Sequence, residues 1–158
     1  VLGKKVELVI VDNKSDKAEA ASAVARLIEK EKVCAIIGSY SSSLSIPAGD
    51  MVKESEVPCV APSATNPLVT QGNDYYFRAC FIDPFQGTVL ANYAYNELGA
   101  TTAYCLAELG NDYDQGLAHY FQEAFQNLGG TVIAEGTPEE IRHNPLVITA
   151  YLGDDYDA

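Results

Sequence analysis

A chain of 158 residues is long enough for one domain with its own core, or for parts of two. Hydrophobic residues make up 47% and charged residues 20%, a globular balance that excludes intrinsic disorder. The formal net charge of −12 repels phosphate backbones and anionic headgroups, which argues against nucleic acid or an anionic membrane surface as partner.

In chain order, short apolar runs alternate with helical stretches, the pattern of a parallel sheet covered by helices. Val1-Leu2-Gly3-Lys4-Lys5 contains no secretory apolar core, so any export signal is expected upstream. Residues 6–11 (VELVIV) read as a first strand. A helix is expected over 17–30, opened by Asp16 with Glu19 three residues on, and carrying Ala20, Val24, Leu27 and Ile28 on one apolar face. Residues 33–37 read as a second strand, 38–43 (GSYSSS) as a tight polar loop. The next helix runs to about Glu54, with Pro47 either in its first turn or bending it. Residues 57–61 and 76–80 read as third and fourth strands. A helix starts at Asp83-Pro84 and ends at Gly99, and 102–106 read as a fifth strand. Asn111-Asp112-Tyr113-Asp114 opens a helix that Gly129-Gly130 stops. A last strand is expected over 131–134, followed by a helix from Thr137 to Gly153.

Cys34, Cys59, Cys80 and Cys105 form no CxxC pair, and no His stands at ligand spacing. Cys34, Cys59 and Cys105 fall in apolar runs and read as buried core thiols, so no metal or other cofactor is expected.

Ligands of an open parallel sheet bind beyond the carboxyl ends of its strands. Two such ends are rich in hydroxyls: 38–43 after the second strand and 62–65 after the third. Adjacent strands would bring these turns together, and hydroxyls with exposed amides suit a zwitterion. Serines before helices also act as caps with no ligand, and the pattern alone leaves both readings open. His119 and His143 read as packing or surface residues, and Asp112 and Asp114 as ordinary helix-start acids. Phosphate-loop, dinucleotide and nucleophile-elbow motifs are missing, so an enzyme is not expected. Tyr113, at the mouth of a strand–loop–helix turn, is the one tyrosine placed to meet a ligand.

These residues resemble a known family. Leu2-Gly3-Lys4-Lys5-Val6-Glu7-Leu8, Asp12-Asn13-Lys14-Ser15-Asp16, Ile37-Gly38-Ser39-Tyr40-Ser41-Ser42-Ser43 and Ala61-Pro62-Ser63-Ala64-Thr65-Asn66-Pro67 are similar to type I periplasmic binding proteins. More narrowly, they resemble the branched-chain amino-acid receptors of ABC importers. Phe77-Arg78, Asp83-Pro84-Phe85-Gln86-Gly87 and Asn111-Asp112-Tyr113-Asp114-Gln115-Gly116 continue the likeness to about residue 132. From Val132 onward the chain resembles the C-terminal tail of the ATPase subunit of the same importer class.

The resemblance implies an open, mainly parallel α/β lobe, incomplete in this chain. Residues 1–99 would be a partial first lobe, 100–132 the start of a second, and 133–158 the tail. It implies that Ser42 and Thr65 hold a ligand's carboxylate and ammonium, that Ser63 and Ala64 contribute backbone, and that Tyr113 approaches from the second lobe. The importer's permease would be the full receptor's partner, and its place would be periplasmic or extracellular, held at the membrane through the transporter or a lipid anchor. The family's first strand and helix have no counterpart here, so the strand at 6–11 would lack its neighbour. A rearranged sheet, completed by a second copy of the chain, is one expected outcome, and weak or absent binding is another. The competing readings are an effector-sensing module of a regulator and a truncation product without independent activity.

Overall fold

Asp16 follows a turn at Lys14 and Ser15 and opens the first helix of the computed structural model, which describes residues 2–136 and 138–152. Its carboxylate accepts hydrogen bonds from the amides of Ala18 and Glu19, at 2.8 and 3.0 Å, and so satisfies two amides that have no partner within the helix. Glu19 instead pairs with Lys14 at 2.9 Å. The helix, α1 (Lys17–Glu29), buries Ala20, Ala23 and Val24.

The chain divides into two compact units, one ending at Cys80 and the other starting at Phe81. In the first unit, β1 (Ile36–Ile37), β2 (Cys59–Ala61) and β3 (Tyr76–Arg78) form an all-parallel sheet in that order. The expected helix after residue 43 is broken by Pro47, which has no amide to donate. The result is a short α2 (Ser42–Ser45), a 3-10 turn (Ile46–Ala48) and α3 (Gly49–Ser55). Alternation along the strands turns Ile36, Cys59, Ala61 and Tyr76 toward one core, with Val24 of α1 and Val52 of α3. Val52 is fully buried, worth about 1.5–3 kcal/mol for a side chain of that size. The alternate residues Ile37, Val60 and Phe77 lie in register across the other face, and all three are exposed. Parallel sheets are ordinarily covered on both faces, so this open apolar face is unusual.

The expected strand at 6–11 does not form. The segment takes no regular secondary structure, and Val6, Leu8 and Ile10 stand in solvent at 66, 75 and 88% exposure. Its apolar run suits a strand, but a strand also needs a neighbour's backbone to pair with, and among the described residues none is aligned with it. The expectations for the cysteines are corrected too. Only Cys59 is buried; Cys34 is exposed outside any strand, and Cys80 and Cys105 are half-buried.

The second unit pairs β4 (Thr102–Leu106) with β5 (Thr131–Gly136) in parallel, joined by α5 (Asp112–Asn127). Asn111 caps α5 by accepting from the Tyr113 and Asp114 amides. The helix from Asp83 is α4 (Asp83–Asn92), which widens into a π-turn over Tyr93–Glu97. It packs on α5 at Gly87, where an added Cβ would sit 2.7 Å from the Phe121 backbone nitrogen. Phe125 of α5 is fully buried, stacked on Phe121 and met edge-on by Tyr95. The single final helix expected from the sequence is two, α6 (Pro138–Arg142) and α7 (Pro145–Leu152), separated before Pro145. Ile141 and Val147 cluster with Ala134 of β5. Its predicted ends at Thr137 and Gly153 lie outside the described residues.

Candidate functional site

Parallel pairing of β1 with β2, Ile36 against Cys59 and Ile37 against Val60, sends both following segments off the same edge of the sheet. Gly38 makes the first turn possible: a Cβ there would lie 3.0 Å from the Tyr76 hydroxyl and 3.2 Å from the Cys59 sulfur. The two turns are tied directly to each other. The buried Ser42 hydroxyl accepts from the Asn66 amide at 3.1 Å, and the Ser63 hydroxyl donates to the Tyr40 carbonyl at 2.8 Å. The first turn is also held from within and from upstream. Ser45 donates to the carbonyls of Ser39 and Ser41, and Asn13 donates to the Ser39 hydroxyl at 3.1 Å. Ser41, at the cap position of α2, makes no side-chain capping bond. Most of the serines therefore shape the turns rather than cap helices.

Thr65 stands apart from this network. It is 5% exposed, and its hydroxyl oxygen is buried with no hydrogen-bond partner among the described residues. A buried hydroxyl left unpaired costs about 1–3 kcal/mol, so this oxygen calls for a partner. Ala64, beside it, puts its methyl into the core. Its carbonyl already accepts from Arg78 at 2.8 Å and from the Cys80 thiol at 3.6 Å.

The structure thus brings Ser42, Ser63, Ala64 and Thr65 together in the first unit. Tyr113 belongs to the second, where its hydroxyl accepts from Gln86 of α4 at 3.1 Å. Arg78 is the residue that sequence reasoning missed. It entered only as part of the family likeness, since a single arginine at a strand end carries no pattern of its own. Beneath the turns, burial pushes the Cys59 thiol up to about 11, against a smaller lowering from its hydrogen bond to Tyr76. Burial, with Cys59 alongside, also raises the Tyr76 phenol, which stays neutral. The described residues include no cluster of His, Cys, Asp or Glu able to hold a metal ion, and no helix long and apolar enough to cross a membrane.

The hydroxyl-lined turns thus meet at the carboxyl edge of the first unit's parallel layer, where open α/β sheets take their ligands. The chain belongs to the periplasmic binding protein family, whose profile matches residues 1–141. A second profile, that of a branched-chain amino acid ATP-binding cassette transporter, matches residues 131–157, where the sequence changes its likeness. The chain is 34% identical over 148 residues to an amino acid binding protein of Pseudomonas aeruginosa, covering 92% of itself and 39% of that protein. It is 32% identical to a Leu/Ile/Val-binding protein homolog of Brucella abortus, of which it covers 34%. Among solved structures, the leucine binding protein LivK of Thermotoga maritima matches with 47% identity and a TM-score of 0.84, over 87% of this chain and 39% of that one. The substrate binding protein LivJ of Streptococcus pneumoniae, solved with isoleucine, matches with 33% identity and a TM-score of 0.81, over 99% of this chain and 44% of that one. The chain therefore spans about two-fifths of the length of these relatives.

Proposed function

We propose that the chain is a segment of the amino-acid receptor of an ABC importer, probing a branched-chain amino acid with Ser42, Ser63, Ala64 and Thr65, and with Tyr113 on the second lobe. The observation that carries this reading is the Thr65 hydroxyl, buried and unpartnered among the described residues beside the Ser42–Asn66 bond. A solute carboxylate or ammonium would satisfy it. The relatives supply the ligand class: a Leu/Ile/Val-binding protein homolog, a leucine binding protein and a substrate binding protein solved with isoleucine. In this reading Ala64 acts through position alone, because its carbonyl is occupied.

The lobe assignment follows the family correspondence: residues 1–99 to the first lobe, 100–132 to the second, and 133–158 to the tail. Packing within this chain divides instead after Cys80. The permease would be the partner of the full receptor, at the outer face of the membrane or in the periplasm, with attachment through the transporter or a lipid anchor. Binding is not catalysis, and no reaction is assigned.

Receptors of this kind gain affinity by closing two lobes over the solute. Two-fifths of a receptor should therefore bind weakly. Titration of ¹⁵N-labelled chain with millimolar leucine, isoleucine and valine is expected to move the amides of 42, 63–66 and 113 and to leave α1 unmoved. No movement in those turns at any concentration would overturn the assignment, and sub-micromolar affinity by calorimetry would overturn the weak-binding part. A second reading, an inactive truncation product that associates with its own copies, is favoured by the open apolar face of Ile37, Val60 and Phe77.

A further inference from the structure

One side chain of β3 grips the second turn at four points. The Arg78 guanidinium donates through Nη1 to the Ala64 carbonyl at 2.8 Å. Through Nη2 it donates to the Asn66 carbonyl at 3.0 Å, the Pro67 carbonyl at 3.4 Å and the Thr70 hydroxyl at 2.8 Å. These acceptors lie 8 to 14 residues earlier in the chain, so the contacts are tertiary rather than local. We propose that Arg78 is a positioning residue for the solute site, setting the direction of the Thr65 amide through the Ala64–Thr65 peptide.

The geometry follows from the peptide unit. Its C=O and N–H point in opposite directions when the bond is trans, and the described residues contain no cis bonds. Fixing the Ala64 oxygen on the guanidinium therefore fixes the Thr65 N–H pointing away from Arg78. A cation on the carbonyl also polarises the peptide, which makes that N–H a better donor to an anion such as a carboxylate. The job needs a planar fork. Two nitrogens of one rigid group reach separate acceptors, whereas the lysine ammonium is a single point on a flexible stem. The neighbouring bonds fit the same role: Asn66, whose carbonyl Arg78 holds, gives its amide to Ser42, and its side chain caps the 3-10 turn at Leu68. Arg78 thus sets one end of a rigid frame whose other end is the first hydroxyl turn.

The inference rests on the reading of Thr65 as a solute contact, but its first readout needs no solute. In labelled full-length chain, NMR is expected to show slowly exchanging guanidinium protons coupled through hydrogen bonds to the Ala64 and Asn66 carbonyl carbons. R78K is expected to abolish that signature, shift the Thr65 amide, and speed amide exchange over 64–70 about tenfold or more while α1 and α5 are unchanged. T70V, which removes one acceptor and keeps the arginine, is expected to give a smaller shift of the same amide. In leucine titrations, R78K should weaken the response at Thr65 about tenfold, the scale of one charge-assisted bond. A wild-type Thr65 shift and exchange rate in R78K would overturn the proposal. So would equal loosening across the whole first unit, which would reduce Arg78 to a general stabiliser. If R78K does not fold, T70V decides, and an unmoved Thr65 amide there overturns it. A wild-type chain that ignores every amino acid would defeat the solute reading, while exchange at 64–70 would still decide what Arg78 does.

Discussion

The Ser42 hydroxyl accepts the amide of Asn66 at 3.1 Å across 24 residues of sequence, a buried bond that joins the turns after β1 and β2. Replacing Ser42 by Ala removes this acceptor from a buried amide. The S42A chain is expected to lose about 1–3 kcal/mol of stability in urea denaturation. S42T keeps the hydroxyl and should recover part of the loss. An S42A midpoint equal to wild type would show that the bond contributes nothing.

Gly87 gives the opposite sign from the usual helix rule. Gly to Ala inside a helix ordinarily stabilises by about 1 kcal/mol, through a less flexible unfolded chain. Here the new Cβ would meet the α5 backbone at Phe121 N and Tyr120 C, both 2.7 Å away, and backbone cannot step aside as a side-chain tip can. G87A is expected to destabilise the second unit by about 1–3 kcal/mol of overpacking. Thermal unfolding followed by tyrosine signals on α5 measures it, and a raised midpoint would refute the close approach.

Alkaline pH acts through Cys59. Below its ordinary 9.0 the thiol is neutral in both folded and unfolded chains, so its contribution is constant. Above that, the unfolded chain gains by ionising while the folded thiol holds its proton up to about 11. Stability is therefore lost as pH rises from about 9 to 11, and the raised Tyr76 phenol extends the loss from its ordinary 10.0 upward. Urea midpoints taken across this range should fall in wild type and fall less steeply in C59A. Equal slopes would remove Cys59 as the cause.

Exposed Val6, Leu8 and Ile10, with the open face of Ile37, Val60 and Phe77, should drive self-association when charge repulsion between acidic chains is screened. Light scattering is expected to report larger species at about 500 mM salt than at about 10 mM, where the Debye length is near 30 Å. I37K with V60K should suppress the increase. A strict monomer in both salts would count against the second-copy reading.

Much of this architecture was legible as pattern. Strand β4 occupies the run expected for it, and Asn111 opens α5 where a cap residue precedes an apolar face. Parallel order alone placed the turns after residues 37 and 61 side by side, because neighbouring parallel strands end on one edge. Other features do not live in pattern. The apolar run of 6–11 marks a strand candidate, but pairing depends on backbone elsewhere in space. Pro47 signals a break without saying that a 3-10 turn will carry the chain through it. Arg78 reaches four acceptors in one turn, and those distances arise only after β3 is docked on β2.

The bonds from Asn66 to Ser42 and from Ser63 to Tyr40 are made within the first unit itself, so its own fold holds the paired turns in shape. Turns tied in this way carry less ordering cost into binding, because that entropy was already incurred when the chain folded. A complementary half added in trans would then meet a surface that needs no rearrangement, and reconstitution from two separate polypeptides becomes a matter of concentration rather than of refolding.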